Sequence, residues 1–148
     1  SEISAAFALE QLKKLSKNIN KRVKNFKTLK DFFAKYDNLF DLPSQQIGLK
    51  TPWLAYPLII NKNAKINRQS LQIYLEKNGI QTRTIFTGNI LRQTVMKNRI
   101  HKKVKNSEIN SNIVMKNGIL IGCHHGLNNK DLNYIKKVFL MYIDKIIK

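Results

Sequence analysis

One cysteine, three prolines and six glycines stand in a chain of 148 residues. The single thiol, Cys123, excludes an internal disulfide and suits a reducing, cytoplasmic setting. No apolar run reaches the roughly 18 to 20 residues that a membrane span needs. The opening residues, Ser1 to Leu15, read as an amphipathic helix and carry no signal-peptide pattern. A G-x-G-x-x-G or Walker spacing is missing, so no glycine loop is expected to cradle phosphate. Serine-triad and zinc-protease patterns are missing too. Acidic residues are scarce, 9 against 27 Lys and Arg.

What is present suits one domain with a real core: 43% of the residues are hydrophobic. The net charge of +18 invites a nucleic-acid partner. Its distribution argues otherwise, because the lysines run from Lys13 to Lys148 without gathering into one stripe. There are 22 lysines against 5 arginines, with 17 asparagines and 19 isoleucines. Lys, Asn and Ile all have AT-rich codons, so the excess reports codon composition as much as ligand choice. The favoured reading is a solvated lysine surface with no specific nucleic acid and no membrane as partner.

Helical periodicity joins Ile3, Ala6, Phe7, Leu12, Leu15 and Ile19 to Val23, Phe26, Leu29 and Phe33. A break near Ser16 to Asn20 would divide it into two helices. Trp53 to Ile60 predicts a strand buried on both faces, with Pro57 arguing for an edge or a bulge. Asn67 caps a helix that Gly79 ends. Ile80 to Phe86 reads as a second strand, Thr87-Gly88-Asn89 as a turn, and Ile90 to Ser107 as a polar segment. A short helix over Ile109, Ile113 and Val114 precedes a third strand, Ile119 to Cys123. Asn128 caps a final helix carrying Leu132, Ile135, Phe139, Tyr142 and Ile146. The expected fold is α+β, a small, mostly antiparallel sheet covered by helices.

Two clusters could carry chemistry. Cys123-His124-His125 contains metal-ligand types, but neighbours on a strand point to opposite sides and only His101 could join them. The plainer reading buries Cys123 and leaves His124 at the strand's mouth, where an imidazole can donate to phosphate or hydroxyl. In TRTIFTGNILRQ, residues 82–93, Arg83 and Arg92 flank a turn and suit a dianion, since each guanidinium forks onto oxygens. The alternative is that both arginines pair with carboxylates, although with only 9 acidic residues such partners are scarce. Trp53 and Tyr56 could stack on a base or sugar, although core packing is the commoner use.

Five segments carry a resemblance. EISAAFALEQLKKL at 2–15, WLAYPLII at 53–60, the R-x-x-L-x-x-x-L-x-x-x-G-I-x-T-R run at 68–83 with TGNILRQ at 87–93, and NGILIGCHHGL at 117–127 occur in the order seen in the DegT/DnrJ/StrS family. These are sugar aminotransferases and dehydrases, and the G-N-x-x-R-Q segment resembles the branch of CDP- and GDP-4-keto-6-deoxyhexose 3-dehydrases of lipopolysaccharide biosynthesis. The resemblance implies the C-terminal small domain of a type I aminotransferase fold, spanning 1–148. Pyridoxal phosphate would belong to a large domain preceding Ser1, so residues 1–148 alone are expected to hold no cofactor and no catalytic residue. Arg83, Asn89, Arg92, Gln93 and His124 match substrate-facing segments. The arginines would take anionic oxygens, Asn89 and Gln93 sugar or phosphate groups, and His124 a polar contact at the pocket mouth. A nucleotide sugar would be the substrate, a homodimer the full-length assembly, and the cytoplasm the location. Thr94 and Asn112 depart from the family, which often has proline and an acidic residue there. A non-catalytic binding or assembly module, and a basic nucleic-acid binder, are the competing readings.

Overall fold

A computed structural model describes residues 1–102 and 104–147. Lys103, within the polar segment, and Lys148, at the end of the lysine distribution, lie outside the described residues. The helices are α1 (Glu2–Phe33), α2 (Arg68–Lys77), α3 (Ile109–Asn117) and α4 (Asn129–Ile147). The strands are β1 (Phe40–Asp41), β2 (Ala55–Ile60), β3 (Thr82–Arg83) and β4 (Gly118–Gly122), in the order β1-β2-β4-β3 with every pair antiparallel. The α+β expectation holds.

The predicted break in the first helix is absent. Ser16, Asn18 and Asn20 are weak helix formers, but each costs only a few tenths of a kcal/mol, and neither Gly nor Pro interrupts α1. Local preference loses to continuity. β2 also differs from expectation. Tyr56, Leu58 and Ile60 are buried while Ala55, Pro57 and Ile59 are only half-buried, so one face meets the core. β2 is internal to the sheet, yet β1 pairs only with Ile59 and Ile60. Pro57 therefore has a sheet neighbour on one side alone, Leu120 of β4, and the edge position a proline needs is met locally.

The predicted strand at 80–86 shrinks to two residues because the backbone turns at once. Phe86 has φ 47° and Gly88 φ 68°, both left-handed, and the Thr84 hydroxyl donates to the Phe86 carbonyl at 3.1 Å. Such turns end a ladder. The local caps behave as expected. Asn67 Oδ1 accepts from Ser70 N at 3.0 Å, Gly79 takes φ 71°, and Asn128 Oδ1 accepts from Lys130 N and Asp131 N.

α1, α2 and α4 supply the helical part of the buried core, while α3 leans on β2 and β4 and buries no residue fully. At its centre Phe33 meets Phe40, Tyr56 and Phe139 at ring separations of 5.6, 5.5 and 4.9 Å.

β3 is one of the sheet's two outer strands, and an unpaired edge invites association. The Glu76 carboxylate covers part of it, accepting from Thr82 N at 2.6 Å and Thr82 Oγ1 at 2.9 Å. The backbone bond first, then the hydroxyl bond, hold the Glu76 carboxyl below its ordinary range, with the Arg83 charge adding. A lowered folded value means stabilisation above the unfolded carboxyl pKa of about 4, lost as pH falls through the folded value. Melting wild type and Glu76→Gln from neutral pH down to about 2 should therefore show their difference shrinking with acid. A constant difference would contradict this role.

Candidate functional site

Asn89, Arg92 and Gln93 come together in a polar knot that fastens residues 87–93 to the start of α3. Asn89 is 3% exposed. Its Nδ2 donates to Asn112 Oδ1 at 2.9 Å and Glu108 Oε2 at 3.2 Å, while its Oδ1 accepts from Leu91 N at 2.9 Å. Arg92 Nε donates to Asn112 Oδ1 at 3.4 Å and lies 3.7 Å from Glu108. Gln93 Nε2 donates to the carbonyls of Thr87 and Asn89. Much of the knot's hydrogen bonding is thus internal. The Arg92 side chain is still 59% exposed, so part of its fork faces solvent.

Glu108 is a member of the knot that the sequence motifs do not point to. A signal for it exists, since it is the only acidic residue between Glu76 and Asp131, and a lone carboxylate in a basic segment attracts a guanidinium, here Arg92 rather than the nearer Arg99. Asn112 stands out in the sequence only as a departure from the family pattern; here its oxygen accepts from both Asn89 and Arg92.

Arg83 and His124 stand apart from the knot and from each other. Arg83, exposed on β3, opens onto a shallow groove with Gln72, Glu76 and Thr84. Its partner on β4 is Leu120. His124 lies four residues beyond Leu120, about 13 Å of extended chain. It lines a separate groove of about 350 Å³ with Gly79, Gln81, Asp131 and Tyr134.

The G-x-H-x-G spacing around His124 has a steric reason. A Cβ on Gly126 would meet His124 Nδ1 at 3.0 Å, and one on Gly122 would meet Cδ2 at 3.3 Å. The imidazole lies against both glycine backbones. Underneath, Asn25 of α1 is 1% exposed and donates through Nδ2 to the carbonyls of His124 at 2.8 Å and Leu127 at 3.3 Å. Nothing local in the sequence pairs positions 25 and 124. Asn25→Ala should cost about 1–3 kcal/mol in urea unfolding, because two partly buried carbonyls lose their donor. The His124 ring resonances should move with it; an unchanged midpoint and spectrum would count against the latch.

Cys123, His124 and His125 turn to different partners. The Cys123 thiol is buried, points at the Trp53 carbonyl 3.6 Å away, and is pushed up to about 11 by burial, only partly offset by the Arg22 charge. His125 Nδ1 lies 3.4 Å from Arg22 Nη2. Among the described residues no group of three His, Cys, Asp or Glu side chains could hold a metal ion, and no helix is long and apolar enough to cross a membrane.

Pyridoxal phosphate asks for a lysine or equivalent at its aldehyde and a charged partner at its ring nitrogen. Every described lysine is exposed or half-buried. The buried polar residues are Asn25, Thr82 and Asn89, none of them acidic. The described residues do not fit a complete cofactor cradle.

A model of the DegT/DnrJ/EryC1/StrS aminotransferase family matches residues 1–139. The chain is 27% identical to the lipopolysaccharide biosynthesis protein RfbH of Salmonella typhimurium, covering 94% of this chain and 32% of that protein. It is 32% identical to GDP-4-keto-6-deoxy-D-mannose 3-dehydratase of Escherichia coli O55:H7, over 93% of this chain and 34% of the enzyme. A solved structure of the E. coli GDP-4-keto-6-deoxy-D-mannose-3-dehydratase with bound hydrated PLP superposes with a TM-score of 0.80 at 32% identity, covering 93% of this chain and 34% of that one. The chain spans about a third of the length of the curated relatives it matches.

Proposed function

This chain belongs to the DegT/DnrJ/EryC1/StrS aminotransferase family, and from that premise we propose that it is the C-terminal small domain of a PLP-dependent enzyme acting on nucleotide sugars. The reaction class is 3-dehydration or amino transfer in lipopolysaccharide or deoxysugar biosynthesis. The observation that carries this reading is the 32% identity to a 3-dehydratase over 93% of the chain, joined to a shared fold. The cofactor, when bound, supplies the electron sink; residues 1–148 contribute a substrate-facing wall and neither hold it nor turn over substrate by themselves. The full enzyme works as a homodimer in the cytoplasm.

Within that wall the groups with donors to spare are Arg83, the exposed fork of Arg92 and His124. The arginines meet anionic oxygens of the nucleotide, and His124 meets a hydroxyl or phosphate. Asn89 and Gln93 shape the loop through the knot and reach sugar or phosphate only with what remains of their capacity. Two measurements test the reading. Pyridoxal phosphate added to the chain should give only the weak, non-saturating Schiff bases of exposed lysines; an aldimine band saturating at one cofactor per chain would refute the claim that residues 1–148 hold no cofactor. In the full-length enzyme carrying this domain, Arg83→Ala should raise KM about tenfold with little change in kcat, as loss of a charged hydrogen bond to bound substrate does. Unchanged kinetics would remove Arg83 from the wall.

A further inference from the structure

We propose that the groove between α1 and the 123–127 loop binds a small phosphate-bearing anion of the diphosphate class. The groove is about 420 Å³ and is lined by Lys17, Asn18, Asn20, Lys21, Lys24 and His125. The three lysines lie four and seven residues along one helix from the first, about 6 and 10 Å of axial rise. Like charges at such spacing weaken a helix unless something opposes them. No carboxylate occurs in α1 between Glu10 and Asp31, and none in residues 123–127. Among the described residues, the ion pairs formed are Lys13–Glu10 and Arg92–Glu108, which leave all three lysines unmatched.

The far wall adds one directed donor, the His125 ring. Arg22 has donors only, so its Nη2 contact of 3.4 Å makes His125 Nδ1 the acceptor and leaves the ring proton on Nε2. The Arg22 Nε beneath is buried without a hydrogen-bond partner. Asn25, one turn further along α1, pins the loop by its carbonyls, so His125 is held over these three lysines by residues about 100 positions away in sequence. Cations and neutral donors thus converge from two segments on a concavity of the size small ligands use. Lys13, Lys14 and Lys27 continue the cations along α1, but His125 bounds the groove only beside Lys17, Lys21 and Lys24, and that walled stretch fits a compact diphosphate rather than an extended backbone. Binding here does not depend on the enzymatic role proposed above.

The test is titration of the chain with inorganic pyrophosphate at physiological salt, followed by NMR. Saturable shifts of the His125 ring and of the Lys21 and Lys24 amides are expected. Lys21→Glu should weaken binding about tenfold, whereas Lys62→Glu, the same charge change on an exposed turn outside the groove, should leave it within about twofold. Lys21→Gln, with circular dichroism to confirm the helix, guards against loss through misfolding and should weaken binding less. GDP binding as tightly as pyrophosphate would support a nucleotide as the source of the diphosphate; pyrophosphate binding alone would support an inorganic one. Equal weakening by Lys21→Glu and Lys62→Glu, or no shift at His125, would overturn the proposal. So would single-stranded DNA binding more tightly than GDP while leaving His125 unmoved.

Discussion

Gly88→Ala should destabilise the protein by about 3–5 kcal/mol, combining a left-handed backbone with a steric collision. At φ 68° an alanine pays the Cβ penalty that glycine avoids. Its Cβ would also stand 2.3 Å from Met115 Cα and Cβ and 2.8 Å from Met115 N, where the obstacle is largely helix backbone. Either α3 moves or the turn opens. Gly79 provides the control: it has φ 71°, and a Cβ added there would have nothing within 4 Å. Gly79→Ala should therefore lose only about 1 kcal/mol. Urea unfolding of the two variants separates strain from collision, and equal losses would show that α3 yields freely.

Phe33→Ala should cost about 3–5 kcal/mol, because it empties the middle of the aromatic cluster. Phe33 is fully buried, with Phe32 at 4.9 Å in addition to the three rings around it. Total stability of an ordinary domain is about 5–15 kcal/mol, so this one truncation removes a large share. The thermal midpoint should fall by about 10 °C or more for a chain of this size. Phe33→Leu, which keeps most of the volume, should cost less than half as much. A loss below about 1 kcal/mol in Phe33→Ala would mean that the neighbours close the cavity, contrary to packing by four facing rings.

Sequence exposes those features whose cause lies within a few residues. Asn67, Gly79 and Asn128 announce their helix ends because a cap bonds to backbone two or three positions away. The grouping of Asn89, Arg92 and Gln93 is equally local. β1 escapes because two residues carry no periodicity; Phe40 and Asp41 become a strand only when β2 arrives beside them. A break in α1 is the wrong expectation because a run of weak helix formers is not a breaker. The extent of β3 depends on Phe86, a residue whose chemistry favours strand while its backbone takes the opposite hand. The separation of Arg83 from His124 follows from register on β4, which no local pattern encodes. Asn25 is invisible for the same reason: its partners lie across the fold.

The sheet order has a kinetic meaning. β2 finds its long neighbour only in β4, after residues 61–117 have intervened. Closing so long a loop costs little more than closing one half its length, about 0.6 kcal/mol per doubling, so equilibrium hardly notices. The rate does, since pairings remote along the chain form late. A nascent chain that has emerged through α2 holds a greasy ribbon whose only mate is the two-residue β1, prone to stick to others until Gly118–Gly122 leaves the ribosome. Birth, rather than maturity, is this polypeptide's vulnerable period.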